Sequence, residues 1–210
     1  MNEMKRVSPV TFDARAARSE QRDLWAVVLE YENENPDACI TDLSHRPRFD
    51  CQDADIGAKK PFGLDIPGTI GRSVLSRGIL VNRMNRTQAA IWHLSGAPLE
   101  TPEDTALTDV TDATVCLALM GKHIFSVCEK LTALDFLDPG IEPPFLLQGP
   151  LSHVPCQITV LDRGSSTPGM IFTCSRGYAD DMVRSVMAAG REFNMTPAGE
   201  DRVTHWINTL

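Results

Sequence analysis

Histidines, cysteines and a few acidic pairs are the side chains here that could do chemistry, and their spacing decides which of them could act together. Asp42-Leu43-Ser44-His45 holds the three residue types of a base-assisted serine nucleophile. Adjacency in sequence does not set the through-space order of nucleophile, base and orienting carboxylate, so the segment reads as the solvated start of a strand. His93, beside Trp92 on an alternating stretch, reads as a hydrogen-bonded sheet histidine. His123 follows Gly121-Lys122, but a phosphate-cradling loop also needs a glycine where Cys116 stands. His205 carries no signal of its own. Asp180-Asp181 fall in the first turn of a helical pattern, where unpaired backbone N–H groups favour a carboxylate without any acid–base role. Cys39, Cys51, Cys116, Cys128, Cys156 and Cys174 are widely scattered, and no pair has the close spacing of a zinc or redox motif. Four of them lie in strand or helix patterns where a small hydrophobe packs. No Gly-x-Gly-x-x-Gly follows a strand, so dinucleotide binding in this chain is unsupported.

The chain has 210 residues and a formal charge of −8. That length allows one sizeable domain or two small, closely packed lobes with a real core. The negative charge argues against a nucleic-acid or anionic-membrane surface, since phosphates call for clustered Lys and Arg and only Arg83-Met84-Asn85-Arg86 comes near that. The first residues lack a signal-peptide core, and no run approaches the roughly 18 apolar residues that span a bilayer, so the expected location is cytoplasmic.

The elements that position these side chains are clearest after residue 109. Thr114 to Leu119 alternates as a strand, and from Lys122 the period changes, with Ile124, Val127, Cys128, Leu131 and Leu134 laying one stripe along a helix of about three turns. A proline-rich loop (Pro139, Pro143, Pro144, Pro150, Pro155) is expected to stay outside the sheet. Cys156, Ile158 and Val160 then alternate, Arg163 to Gly169 has hairpin-loop composition, and Met170 to Cys174 returns. Ser175 is placed to cap a second helix, with Met182, Val183, Val186, Met187, Gly190 and Phe193 as its buried stripe. A weak strand is expected near Val203 to Ile207. The β-α-β-β-α order is the split βαβ pattern of an α+β sandwich.

Earlier in the chain, residues 1 to about 13 read as a frayed arm and Ala14 to Tyr31 as a short helix striped by Ala17, Leu24, Val27, Val28 and Tyr31. Arg46-Pro47-Arg48-Phe49-Asp50 reads as an edge strand because of Pro47. Gly78 to Met84 and Gln88 to Leu94 form a hairpin around Asn85-Arg86-Thr87. Residues 95–108 read as a link. The resulting division is an arm and helix over 1–39, a first lobe over 40–108 and a second lobe over 109–210.

Three segments resemble one family. They are Asp42-Leu43-Ser44-His45-Arg46-Pro47-Arg48-Phe49, then Asp109 to Thr114 with Leu119-Met120-Gly121 and Leu134-Asp135, and finally Cys174 to Asp180 through Glu192-Phe193. In this order, over roughly residues 40 to 195, they resemble the small γ subunit of heterotetrameric sarcosine oxidases, relatives of the glycine-cleavage aminomethyltransferase. The chain departs from the family in reading Ser175-Arg176-Gly177 where Arg-Ser is expected and Asn194 where Gly is usual.

The resemblance implies a two-lobed aminomethyltransferase-like (folate-binding-domain-like) α+β fold with split βαβ units and antiparallel sheets. It also implies an oxidoreductase complex that oxidatively demethylates sarcosine or a similar N-methyl amino acid. FAD, FMN, NAD and tetrahydrofolate are then expected in larger flavin- and folate-binding partner subunits, with no cofactor, metal or catalytic residue in this chain. Where related domains place a carboxylate near the folate, Gly149 to Val154 offers His153. A free-standing folate transferase in that family would be about twice this length. A stand-alone folate-binding, one-carbon transfer protein is the alternative.

Subunit contact would explain the surplus apolar residues of Ile141, Pro143, Pro144, Phe145, Leu146 and Leu147, a proline-stiffened stretch too apolar for a simple link, with Trp206 and the N-terminal helix next. Docking against the chain's own core is the competing reading of that stretch.

Overall fold

The computed structural model describes residues 6–96, 99–100 and 102–210, so the first five residues of the expected arm and residues 97, 98 and 101 of the expected link lie outside it. In place of the helix expected over Ala14 to Tyr31 there is a hairpin of β1 (Ala16–Arg22) and β2 (Trp25–Tyr31). Trp25, Val27 and Leu29 are buried while Ala26 and Glu30 are exposed. That two-residue period belongs to a strand, and Asp23 and Leu24 turn the chain at φ of 45° and 72°.

Two larger sheets follow. One holds β3 (Cys39–Asp42), β9 (Thr114–Met120), β10 (Phe145–Leu151), β11 (Val154–Asp162), β12 (Gly169–Ser175) and β13 (Thr196–Pro197), in the spatial order β10-β11-β12-β9-β3-β13. The other holds β4 (Arg48–Gln52), β5 (Ser73–Ser76), β6 (Ile79–Arg83), β7 (Gln88–His93) and β8 (Leu107–Asp109), in the order β5-β6-β7-β4-β8. β12 pairs antiparallel with both β9 and β11, so those two run parallel with β12 between them, which is the expected split βαβ arrangement. The hairpin expected around residues 85–87 is β6–β7, in antiparallel register from Ile79↔His93 to Arg83↔Ala89.

Several expectations change. β4 is not an edge strand: it lies between β7 and β8, because Pro47 stays just outside it and offers only its carbonyl, which accepts the His93 N–H at 2.9 Å. The expected link contains β8, which pairs back onto β4. The proline-rich loop enters the sheet as β10, with Pro150 opposite Pro155 on β11; β10 is an edge strand, where a missing N–H is tolerated. β3, within the 40–108 segment, pairs with β9 of the second lobe, so the lobe boundary is crossed by a sheet.

Helix α1 (Ile124–Cys128) is much shorter than three turns, although Leu131 and Leu134 still pack on the same core. Helix α2 (Ala179–Ala189) follows a 3₁₀ turn over Arg176–Tyr178, and Ser175 makes no side-chain cap bond to it. Helix α3 (Glu200–Ile207) replaces the strand expected near Val203 to Ile207, since Val203, Trp206 and Ile207 recur at three and four residues and bury one face. Gly199 before it lets α3 approach β2, because a Cβ there would lie 2.1 Å from the Leu29 carbonyl oxygen.

The layers follow from burial. Val115, Leu117 and Leu119 of β9 face a core shared with α1 and α2, whereas Cys116, Ala118 and Met120 face one shared with Leu80, Ala90 and Trp92 of the five-stranded sheet and with α3. The five-stranded sheet buries Phe49, Val81 and Ile91 on its far side under Ile56, Leu64 and Ile66 of the irregular segment before β5. β9 is therefore covered on both faces, each large aliphatic side chain worth roughly 1.5–3 kcal/mol of transfer free energy before entropy is subtracted.

One buried cation ties the sheets together. Arg48, at the start of β4 and 1% exposed, donates to the carbonyls of Leu43, Ser44, Arg46, Thr111 and Thr114 at 2.5–3.3 Å, and its Nε donates to Thr114 Oγ1 at 2.9 Å. Burial pulls its pKa below the usual arginine value, and backbone dipoles take the place of its hydration shell. Arg48→Met leaves five carbonyls short of donors and is expected to lower unfolding free energy by roughly 3–5 kcal/mol. Arg48→Lys keeps the charge but loses the planar fork, and is expected to fall between the two. Urea denaturation of the three proteins checks the order.

Candidate functional site

The nucleophile-like residues do not assemble. Asp42 accepts hydrogen bonds from Ser8 Oγ and, at 2.9 Å, from the Ser44 N–H, while Ser44 Oγ is buried and accepts the Cys116 N–H at 3.2 Å. His45 turns away from both, and its Nε2 lies 2.6 Å from Glu200 Oε1 on α3. The expected solvated segment is in fact interior: the side chains of His45, Arg46 and Glu200 are 8%, 3% and 3% exposed.

Glu200 is the centre of this polar cluster. Arg46 Nη2 lies 2.6 Å from Glu200 Oε1 and Arg22 Nη1 lies 2.8 Å from Glu200 Oε2. The β1–β2 hairpin, the β3–β4 loop and α3 thus converge on one carboxylate. Burial by itself would raise the Glu200 pKa, but the hydrogen bond from His45 and the charges of Arg46, His45 and Arg22 outweigh it and hold the group down to about 2. No sequence pattern announced this partner, because Glu200 lies 155 residues from His45.

Two cavities flank the cluster. A cavity of about 540 Å³ is lined by His45, Arg46, Trp25, Phe49, His93 and Ser95 among others. His93 Nε2 lies 2.9 Å from Ser95 Oγ, and burial, then the charge of Arg46, lowers its pKa. A larger groove of about 1260 Å³ runs between β5 and the Gly78 turn on one side and Pro143-Pro144, the Asp162–Ser165 turn and the end of α3 on the other, with Arg77 and Arg163 on its walls. Ser95 and Gly96 line both cavities.

The residues singled out for subunit contact divide. Phe145, Leu146 and Trp206 are buried in this chain's own core, so docking inward accounts for them. Ile141, Pro143, Pro144 and Leu147 are half-buried, and the two prolines line the groove. The N-terminal helix named with them is the β1–β2 hairpin.

His153, standing where relatives place a carboxylate, is an exposed turn residue of the β10–β11 hairpin at φ of 70°. The His123 ring stacks on Phe193 with centroids 4.6 Å apart, and His205 is exposed on α3. Asp181 pairs with Arg184 at 2.6 Å in the first turn of α2. All six cysteines are buried free thiols, and burial pushes Cys39 and Cys128 up to about 12. Among the described residues no three His, Cys, Asp or Glu side chains are grouped to hold a metal ion. The clustered residues therefore form an ion network that ties three elements together, with His45, Arg46 and Arg22 also lining the smaller cavity and the larger open space lying in the groove.

Glu200 gives a signed acid response. With its folded pKa near 2 against an ordinary 4.5, it stabilises the fold fully above 4.5, and that contribution is lost as pH falls from 4.5 towards 2. Glu200→Gln should lose roughly 3 kcal/mol at neutral pH, because three cationic or donor groups lose their acceptor. Thermal melts from pH 7 to pH 2.5 should show the variant with a flatter decline between pH 4.5 and pH 2.5 than the parent chain.

No family model matches the sequence, and no curated protein matches it. Solved structures do match. A chain of the heterotetrameric sarcosine oxidase from Corynebacterium sp. U-96, solved with pyrrole 2-carboxylate, aligns with a TM-score of 0.61 and 12% identity over 76% of this chain and 86% of that one. The glycine cleavage system aminomethyltransferase T from Bartonella henselae aligns with a TM-score of 0.58 and 13% identity over 89% of this chain. This chain spans 57% of the aminomethyltransferase's length. Its mixed helix and strand architecture is thus the fold shared by the aminomethyltransferase and a sarcosine oxidase chain.

Proposed function

We propose that this chain is a cofactor-free accessory subunit, of the small γ kind, in a cytoplasmic sarcosine oxidase-type assembly. Larger partner subunits hold the flavins, NAD and tetrahydrofolate and oxidatively demethylate an N-methyl amino acid. The observation that carries this reading is how the reactive side chains are used: His45 and Arg46 are bound to Glu200, Asp42 to Ser8 and Ser44, and Arg48 to carbonyls. Groups bound to one another across elements in this way give a scaffold its rigidity. The alignment over 86% of a chain from a heterotetrameric enzyme supports the same reading, because a unit of that size occurs there inside a larger complex.

A second reading is a stand-alone folate-binding protein, favoured by the groove of about 1260 Å³ with its two arginines. The two readings separate experimentally. Affinity purification of the tagged chain from its native host is expected to bring down larger flavin-containing polypeptides in fixed ratio, and calorimetry of the isolated chain with tetrahydrofolate is expected to show no heat of binding. A chain recovered without flavoprotein that binds tetrahydrofolate in the micromolar range or tighter overturns the subunit reading.

A further inference from the structure

β1 is a seven-residue strand with six residues exposed and Arg22 only half-buried, and it pairs only with β2. Among the described residues nothing covers its outer edge. An open edge of that length is a template for another strand, and a two-stranded ribbon gains order when it is extended. The charge pattern of Ala16-Ala17-Arg18-Ser19-Glu20-Gln21-Arg22 selects the added strand. Pairing β1 antiparallel with the β1 of a second copy, about a two-fold axis at Ser19, sets Arg18 opposite Glu20 and Glu20 opposite Arg18. Sliding the register by one residue removes both central ion pairs. Sliding it by two sets Arg18 against Arg18 or Glu20 against Glu20, and like charges directly opposite are destabilising. Two-fold symmetry also allows axes at Arg18 or Glu20, so it is the charge pattern that favours the axis at Ser19.

Side-chain facing agrees. The Arg18–Asp201 and Arg22–Glu200 pairs place Arg18 and Arg22 on the α3 side of the ribbon, and Glu20 pairs with Arg22 there, although the β1–β2 register shifts on either side of Arg18. Residues directly opposite in an antiparallel pair share a face, so the new Arg18–Glu20 pairs would form on that side. The side chains involved remain accessible, with Arg18 and Glu20 at 52% and 44% exposure.

We infer that the outer edge of β1 is a self-association surface, on which two copies of this chain pair antiparallel about Ser19 to form a continuous four-stranded ribbon β2-β1-β1-β2. The inference does not rest on the proposed function, since it is tested on the purified chain alone.

Sedimentation equilibrium of the full chain over a concentration series is expected to show a species of twice the 23.1 kDa monomer, weakening as salt is raised. Glu20→Arg sets arginines opposite each other at both central positions and should raise the dimer dissociation constant roughly tenfold or more. The double change Arg18→Glu with Glu20→Arg restores complementarity and should return the constant to near its starting value, while circular dichroism confirms that each variant is folded. A chain monomeric at all concentrations overturns the inference. So does a dimer that Glu20→Arg leaves unchanged, which would place the contact elsewhere, or a loss that the double change fails to rescue.

Discussion

A buried guanidinium solvated by backbone carbonyls ties the two larger sheets of this molecule together. Arg48 reaches carbonyls on both sides of the junction between the sheets, those of Leu43, Ser44 and Arg46 in the β3–β4 loop and those of Thr111 and Thr114 leading into β9. A charge placed there must find acceptors, because leaving it bare in a low-dielectric interior costs far more than any packing gain nearby. The loop and the start of β9 can therefore approach in few other ways. Two segments far apart in the chain, Asp42 to Phe49 and Asp109 to Thr114, thus meet at this one side chain.

Around that point the architecture is a set of layers. β9 is the strand they share, since its alternate residues enter different cores and the whole strand is removed from water. Gly121 at its end sits at φ of 117°, where a Cβ would fall 2.4 Å from the Asp37 backbone, so the chain can turn there only without a side chain. Glu200 is a second polar node, where the N-terminal hairpin and α3 are drawn onto the β3–β4 loop by three ion or hydrogen-bond partners. These nodes occupy the residues that a reading for catalysis would choose first, and bind them to one another across elements.

Local periodicity carried much of the architecture. The alternation of Thr114 to Leu119, the β6–β7 hairpin around Asn85-Arg86-Thr87 and the stripe of α2 are all readable residue by residue, because the side chains that set each period lie within one element. Elsewhere the local signal differs from the fold for separate physical reasons. In Ala14 to Tyr31, Leu24 falls in the turn and is exposed, so counting it with Val27 and Tyr31 produced a false helical period. Val203 to Ile207 has only a few apolar residues, too short a run to separate a helix from a strand. Pro47 lies just outside its strand, and Pro150 sits at the far end of an edge strand, beyond the stretch where the Leu146 N–H donates to the Gly71 carbonyl, so a proline does not by itself exclude either segment from a sheet.

By itself the sequence determined the α+β class and the split βαβ order of the second half, since these follow from local period within single elements. The tertiary structure alone decided which charges meet. Glu200 and His45, 155 residues apart, and Arg48 with Thr111 and Thr114 become neighbours only after the sheets have stacked. Long-range pairing is set by where whole elements pack, which no short window of residues encodes, so the same histidine that reads as solvated in the chain is interior in the fold.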